Sequence, residues 1–266
     1  MLDFKYDGKY LSDFNCMLAT FDNSGGFVTK QGCSLNLQTV KTSSTQKYRK
    51  YGLSYDDYLT DTWQLAKQKC DNPDDRYFTT KEIREIIKWL NSEKYRKLYL
   101  VDDEYTDIYF MATFNVSKIM NVGKCVGFEL NLVCNSSFGY EEKTFKNTIS
   151  DENKTILLSI DNDRESFIYP KIDIEILENG DLEIASSTES DRKLILHDCS
   201  VGDKIFIDCE NRVIMSSNAT HNLPSSFNFI FPRINYSFNN DDYKININLN
   251  SNVSIELEQV RKVGVI

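Results

Sequence analysis

The sequence predicts a mainly β protein of two domains. An N-terminal β-sandwich-like domain carries one α-helix and a projecting hairpin arm, and a second β-sandwich follows. Three observations predict this. Apolar and polar residues alternate along much of the 266-residue chain, with the two-residue period of half-buried strands. Only one segment, beginning at Thr79, carries clear helical spacing. The alternation lapses across 135–153, where the domain boundary is placed, giving domains 1–140 and 141–266.

In chain order, Cys33, Leu35 and Leu37 alternate with polar residues, and 39–49 is long and polar. Tyr51-Gly-Leu-Ser-Tyr-Asp56 reads as a turn, and 58–70 returns with Trp63 and Leu65 on one face. A hairpin so long and so polar near its tip does not bury itself on one core. It is expected to project and pair with something else; the alternative is a surface loop. Thr79 and Glu82 have capping-box spacing, and Ile83, Ile86, Ile87 and Leu90 form one apolar stripe. Lys81, Arg84 and Lys88 are placed toward solvent. Arg96-Lys-Leu-Tyr-Leu-Val101 is a strand, followed by an acidic turn at Asp102-Asp-Glu104. Two longer strands carry Ile108, Phe110, Ala112, Phe114 and Val116, then Val126, Phe128, Leu130, Leu132 and Cys134. A lone helix docked on an antiparallel sheet results.

Beyond the boundary every signal is strand. Ile172, Ile174 and Ile176 alternate, and Asn179-Gly180 marks a tight hairpin because both positions tolerate positive φ. Runs at 182–185, 193–196, 204–209, 227–231, 244–249 and 253–260 follow. Many short strands with short turns argue a β-sandwich.

Composition excludes several function classes. The formal net charge of −9 and the pI of about 4.9 oppose nucleic-acid binding, because phosphate repels such a surface. Lys47, Arg49 and Lys50 read as a solvated hairpin tip. No apolar run approaches the roughly 20 residues of a membrane span, and the opening residues lack the apolar core of a signal peptide. Synthesis in a reducing cytosol is therefore expected. The seven cysteines (16, 33, 70, 125, 134, 199, 209) have no C-x-x-C spacing and read as buried free thiols. In that setting the sequons at Asn115, Asn135, Asn153, Asn218, Asn235 and Asn252 carry no glycans.

The search for chemistry is negative. His197 and His221 have no ligand-spaced partners, so no metal site is expected. Phosphate-cradling and nucleophile motifs are missing. The acidic pairs Asp56-Asp57, Asp74-Asp75, Asp102-Asp103-Glu104 and Asp241-Asp242 read as solvated turns rather than glycosidase carboxylates. Asp161-Asn-Asp-Arg-Glu165 lacks the central glycine of a calcium loop. We therefore expect no catalytic, cofactor-binding or metal residues, no cofactor, and no enzyme activity.

Several phrases together resemble the distal tail (Dit) proteins of phages and prophages of Gram-positive bacteria. They are the opening Phe4-Lys-Tyr-Asp-Gly-Lys-Tyr-Leu-Ser-Asp-Phe14, the helix Thr80-Lys-Glu-Ile-Arg-Glu-Ile-Ile-Lys-Trp-Leu90, Val201-Gly-Asp-Lys-Ile-Phe-Ile-Asp-Cys-Glu-Asn-Arg212 and Ser254-Ile-Glu-Leu-Glu-Gln-Val-Arg-Lys-Val-Gly264. The resemblance implies a ring-forming N-terminal domain whose arm reaches the neighbouring subunit, and a galectin-like C-terminal sandwich. It implies a homohexameric baseplate hub at the virion tail tip. Its partners would be the tail tube protein, the tail-associated hub protein or lysin, and receptor-binding proteins, with no nucleic acid or membrane. The alternative is a carbohydrate-binding β-sandwich module of a tail or cell-wall protein; a glycoside hydrolase is a third, weaker reading. The second domain has no Trp, and His197, Asn228 and Arg233 form no spaced sugar motif, so binding of simple galactosides is not expected.

Overall fold

The structure, a computed structural model, describes residues 3–19, 35–41, 47–55, 58–68, 75–101 and 107–264. It is mainly β, and the chain divides into two units, Met1–Tyr140 with Arg261–Ile266, and Glu141–Val260. Cys33, Cys70, Asp56, Asp57, Asp74 and the Asp102-Asp-Glu104 turn lie outside the described residues.

The first unit runs β1 (Asp3–Tyr6), β2 (Lys9–Tyr10), a 3-10 turn (Leu11–Phe14), β3 (Cys16–Leu18), β4 (Leu35–Lys41), β5 (Tyr48–Tyr55), β6 (Thr60–Lys67), α1 (Thr80–Leu90), β7 (Arg96–Val101), β8 (Ile108–Asn121) and β9 (Lys124–Cys134). Asp7 and Gly8, both at positive φ, form the two-residue turn between β1 and β2, the geometry whose twist matches paired strands. The antiparallel sheet is ordered β3-β6-β9-β8-β7-β1-β2. Phe4 on β1 nevertheless lies 5.5 Å from Trp63 on β6, although three strands separate them. The sheet must curl over on itself, and the enclosed space is filled by side chains such as Tyr6, Leu65, Leu98, Phe114 and Leu130.

The helix closes this core. Glu82 N–H donates to Thr79 Oγ1 at 3.3 Å and Thr79 N–H donates to Glu82 Oε2 at 2.6 Å, so the capping box is formed. Ile86 and Leu90 are fully buried, while Ile83 and Ile87 are only half-buried. The missing width of the stripe is supplied by Trp89, three residues after Ile86, whose Nε1–H donates to the Tyr6 carbonyl at 2.9 Å.

Two details depart from the alternation. The β8–β9 ladder slips between Ile119 and Met120, so before Phe128 it is Cys125 that is buried and Val126 only half-buried; a bulge inverts the phase. At the tip of this hairpin Val122 is held at φ 48° while 93% exposed, a left-handed conformation that a β-branched residue disfavours.

The second unit comprises β10 (Gly139–Ile149), β11 (Thr155–Leu158), β12 (Phe167–Ile168), β13 (Lys171–Ile176), β14 (Gly180–Ser186), β15 (Glu189–Cys199), β16 (Lys204–Asp208), β17 (Val213–Ser216), α2 (Leu223–Ser226), β18 (Ile234–Asn235), β19 (Tyr243–Ile247) and β20 (Ser251–Arg261). The stretch 135–153, where alternation lapses, thus holds a long strand whose polar residues lie on both faces. Within this unit one sheet is ordered β17-β16-β13-β20-β10 and another β11-β19-β14-β15. Between them lies one apolar cluster including Ile172, Ile174, Leu182, Ile184, Ile207 and Ile255, which makes a β-sandwich.

Two expectations fail here. Asn179-Gly180 does not close a hairpin, because β13 pairs with β16 and β20 while β14 pairs with β15 and β19; the segment carries the chain from one sheet to the other. The run Phe227–Phe231 is not a strand. Its contact with β15 is an isolated bridge at Leu196 and Phe227, and Phe229, at φ 58°, turns out to solvent. The Asn228 side chain does the pairing instead. Its Oδ1 accepts from Ile195 N–H at 3.1 Å and its Nδ2–H donates to the Lys193 carbonyl at 2.9 Å. A carboxamide thereby occupies the hydrogen-bonding edge of β15 that a further strand would seek.

Ile86→Ala is expected to destabilise the protein by about 2–5 kcal/mol, and Thr79→Ala by about 1 kcal/mol, in chemical denaturation. Midpoints unchanged from wild type would refute the helix register. Replacing Val122 by Asn, which tolerates left-handed φ, should instead stabilise by about 1 kcal/mol; a lower midpoint would show that the turn is not strained.

Candidate functional site

The described histidines each lie near a carboxylate. His197 Nδ1 lies 2.7 Å from Asp181 Oδ2, and His221 Nδ1 lies 3.8 Å from Asp203 Oδ2. The expectation of unpartnered histidines is therefore corrected for His197, whose carboxylate on β14 is brought close by pairing with β15; His221 Nδ1, in a loop, approaches Asp203 but makes no hydrogen bond. The hydrogen bond from His197 holds the exposed Asp181 carboxyl below its usual range. His221 is buried with its Nε2 2.8 Å from the His197 carbonyl oxygen. Neither pair acquires a third ligand, and no group of three or more His, Cys, Asp or Glu suited to a metal occurs among the described residues.

Asn162, in the segment with a faint calcium-loop pattern, is buried; its Oδ1 accepts from Val260 N–H and its Nδ2–H donates to the Arg164 carbonyl. Glu165 Oε1 accepts from Ser237 Oγ–H at 2.9 Å. This is loop closure rather than ion binding. Arg233 makes a bidentate pair with Glu189 at 2.8 and 2.9 Å, which holds the Glu189 carboxyl below its usual range. Asp242 lies 2.6 Å from Lys244 Nζ. Of the residues considered for sugar binding or hydrolysis, His197, Asn228, Arg233 and Asp242 are thus engaged in contacts of the fold.

The feature without an internal task is the hairpin of β4 and β5. Its two strands pair with each other and with no other described strand. The expected turn at Tyr51–Asp56 falls mostly inside β5, because Tyr, Leu and Tyr favour an extended backbone and Gly52 sits beside an irregularity in the ladder near Gln38. The return strand is therefore β5, and β6, with Trp63 and Leu65, belongs to the main sheet. The tip, 42–46, lies outside the described residues.

The ladder register determines the arm's faces. Leu37 pairs with Leu53, Thr39 with Lys50 and Lys41 with Tyr48, so these six residues share one face. On it Leu37 is 53%, Leu53 40% and Tyr48 66% exposed. An isolated two-stranded hairpin is marginal in water, and a row of exposed apolar side chains raises that difficulty unless another surface covers it. At its root Tyr55 packs edge-on to Phe138 at 4.9 Å, with Lys262 Nζ 5.6 Å from the Tyr55 ring. Charge adds to the contrast. Residues 35–55 carry Lys41, Lys47, Arg49 and Lys50 and no acid, a formal +4, so the remainder of a chain of net −9 carries −13. Sequence reading found the polarity of this segment and its cationic cluster. It missed the apolar row, because Leu37, Tyr48 and Leu53 come together only through the ladder.

The described cysteines, 16, 125, 134, 199 and 209, are free and buried. Burial pushes the thiols of Cys16, Cys134 and Cys209 up to about 12, so they are inert small hydrophobes. No described helix is long and apolar enough to cross a membrane.

Comparison with known proteins gives a consistent picture. A family model described as "Phage tail protein N-terminal domain" matches residues 1–136, and one described as "Phage tail C-terminal domain" matches residues 138–257. No curated protein matches. Among solved structures, the chain is similar to the Dit (gp 19.1) protein of phage SPP1, described as "a Paradigm of Hub Adsorption Apparatus in Gram-positive Infecting Phages". The TM-score is 0.61 at 12% identity, covering 97% of this chain and 99% of that one. It is also similar to a chain of the phage p2 baseplate in its activated conformation, with TM-score 0.59, 10% identity and coverage of 97% and 98%. At these identities the likeness is one of fold.

In native protein at pH 8, Cys16, Cys125, Cys134, Cys199 and Cys209 should resist alkylation and react on denaturation, as read by peptide mass spectrometry. Rapid native labelling of Cys134 or Cys209 would contradict their burial.

Proposed function

The chain belongs to the family of phage tail proteins whose two domain models match it, and we propose that it acts there as a Dit-type distal tail protein, a hub subunit that closes into a hexameric ring at the tail tip. The family is a structural one and the protein is not an enzyme. The observation that carries the ring reading is the β4–β5 arm, a cationic two-stranded hairpin with an exposed apolar row on a chain that is otherwise anionic. Such an arm has a natural counterpart in another copy of the same chain. Its basic residues meet the acidic remainder, and its apolar row gains the cover it lacks. Arm and acceptor are different surfaces, so the contact is heterologous and closes into a ring when the rotation per subunit allows.

In this reading the first unit forms the ring and the second, a galectin-like sandwich, is left to carry receptor-binding proteins. The tail tube protein and the tail-associated hub protein or lysin would be the partners of the ring's two faces. The protein would reside in the virion baseplate after synthesis in the host cytoplasm.

Mass photometry of the full chain tests the proposal. We expect a species of six subunits that dissociates in Leu37→Ser/Leu53→Ser, while circular dichroism of the variant stays as wild type because both side chains are exposed in the single chain. Assembly should also weaken as salt rises, since charge attraction between arm and acceptor is screened. A monomer at high protein concentration, with the tail tube partner supplied, would overturn the ring.

A further inference from the structure

The outer face of the sheet β17-β16-β13-β20-β10 holds a groove of about 760 Å³ lined by side chains from four of its strands. Register sorts these side chains into rows. Glu175 pairs with Asn252 on one side and with Lys204 on the other. This row is largely paired: Asn252 Oδ1 accepts from Thr148 Oγ1–H at 2.9 Å and Asn252 Nδ2–H donates to Glu175 at 3.2 Å, while the exposed Lys204 Nζ stands 4.0 Å from Glu175. Two residues along, Asp173 pairs with Ser254 and with Phe206. A further step along, Lys171 meets Glu256 at 3.2 Å and Asp208 is held by Asn211.

The middle row differs from its neighbours. Asp173 and Ser254 make no side-chain hydrogen bond or ion pair with any described residue, nor does Lys146, which lines the same groove. Beside them lies the half-buried ring of Phe206. The row therefore offers one unpaired acceptor group, two unpaired donors and one apolar ring, between rows whose polar groups are largely paired. A satisfied outer sheet face is ordinary. A gap in the pairing that coincides with an aromatic ring and a groove is a site pattern, with a few convergent polar groups around apolar surface.

We propose that this groove is a saccharide site for an N-acetylhexosamine. The chemical match is with the acetamido group. Its N–H is a donor for the Asp173 carboxylate, its carbonyl an acceptor for Lys146 or Ser254, and its methyl an apolar group for the Phe206 ring, while ring hydroxyls use the remaining capacity. A galactoside without an acetamido group satisfies only part of this set, which agrees with the sequence's lack of a galactoside motif. The inference stands on the second unit alone and does not depend on ring closure.

Isothermal titration of the full chain with chitotriose, with lactose as comparator, tests it. Saturable binding of chitotriose is expected, with lactose at least about tenfold weaker, the range set by losing one charge-assisted hydrogen bond. Asp173→Ala and Phe206→Ala should each weaken chitotriose at least about tenfold. Both positions are on the solvent side of the sheet, and unchanged circular dichroism confirms that the variants fold; Glu183→Ala, on the other sheet, should bind as wild type. No saturable chitotriose binding, equal lactose binding, or binding unmoved by both groove variants would overturn the assignment.

Discussion

The first unit depends on the aromatic cluster around Phe4. Its ring lies within 6 Å of Trp63 on β6, Trp89 on α1 and Phe114 on β8, at 5.5, 5.8 and 5.7 Å. Those three partners come from an edge-side strand, the helix and a central strand. One residue near the chain start therefore joins elements that backbone hydrogen bonds alone would leave apart. The Trp89 indole N–H, bonded to the Tyr6 carbonyl, fixes the helix to β1, and the stack of Trp89 on Phe14 at 4.4 Å extends the hold to the 3-10 turn. Such offset and edge-on aromatic pairs add to area burial. The arm is rooted beside this core through Tyr55 and Phe138, so a rigid base supports a hairpin that has little to hold it by itself.

Much of this was legible in the sequence because it is local. The Thr79–Glu82 box and the Ile86–Leu90 stripe are decided within twelve residues, and strands such as Lys171–Ile176 reveal themselves by strict alternation. What failed is non-local. Asn179-Gly180 has hairpin chemistry, but the partner of a strand in a sandwich is chosen by sheet order, not by the nearest turn. Phe227, Phe229 and Phe231 alternate as a strand should, yet a positive φ at Phe229 and the Asn228 carboxamide break the ladder. The bulge at Val126 shifts phase beside Gly127, and the alternation count alone did not register it. The candidate site was half legible. Its charge and polarity were plain, whereas the Leu37, Leu53 and Tyr48 row needed the register. The same holds for His197 with Asp181 and His221 with Asp203, pairs that no sequence spacing marks.

The two units treat their exposed edges in opposite ways, and this bears on assembly. In the second unit the edge of β15 is blocked by Asn228, whose side chain takes the groups that another chain would pair with. Blocking of this kind keeps a sandwich from associating through its backbone. In the first unit the β4–β5 hairpin has no such cover among the described residues and presents apolar side chains besides. In the proposed ring, each copy joins its neighbour in one way, and both devices serve that. The arm is left incomplete where the proposed contact belongs, and the β15 edge is closed.

Electrostatics supports the same division. A net charge of −9 keeps separate copies apart through weak general repulsion. The +4 segment concentrates attraction at the arm, so approach is favoured only when an arm faces an acidic surface. In the proposed ring contact, charge would set orientation while the apolar row would supply contact area, so neither alone would suffice. The basic residues without the leucines would give a weak, salt-sensitive encounter, and the leucines without the basic residues would give adhesion without direction. Their alternation on one short ladder joins the two.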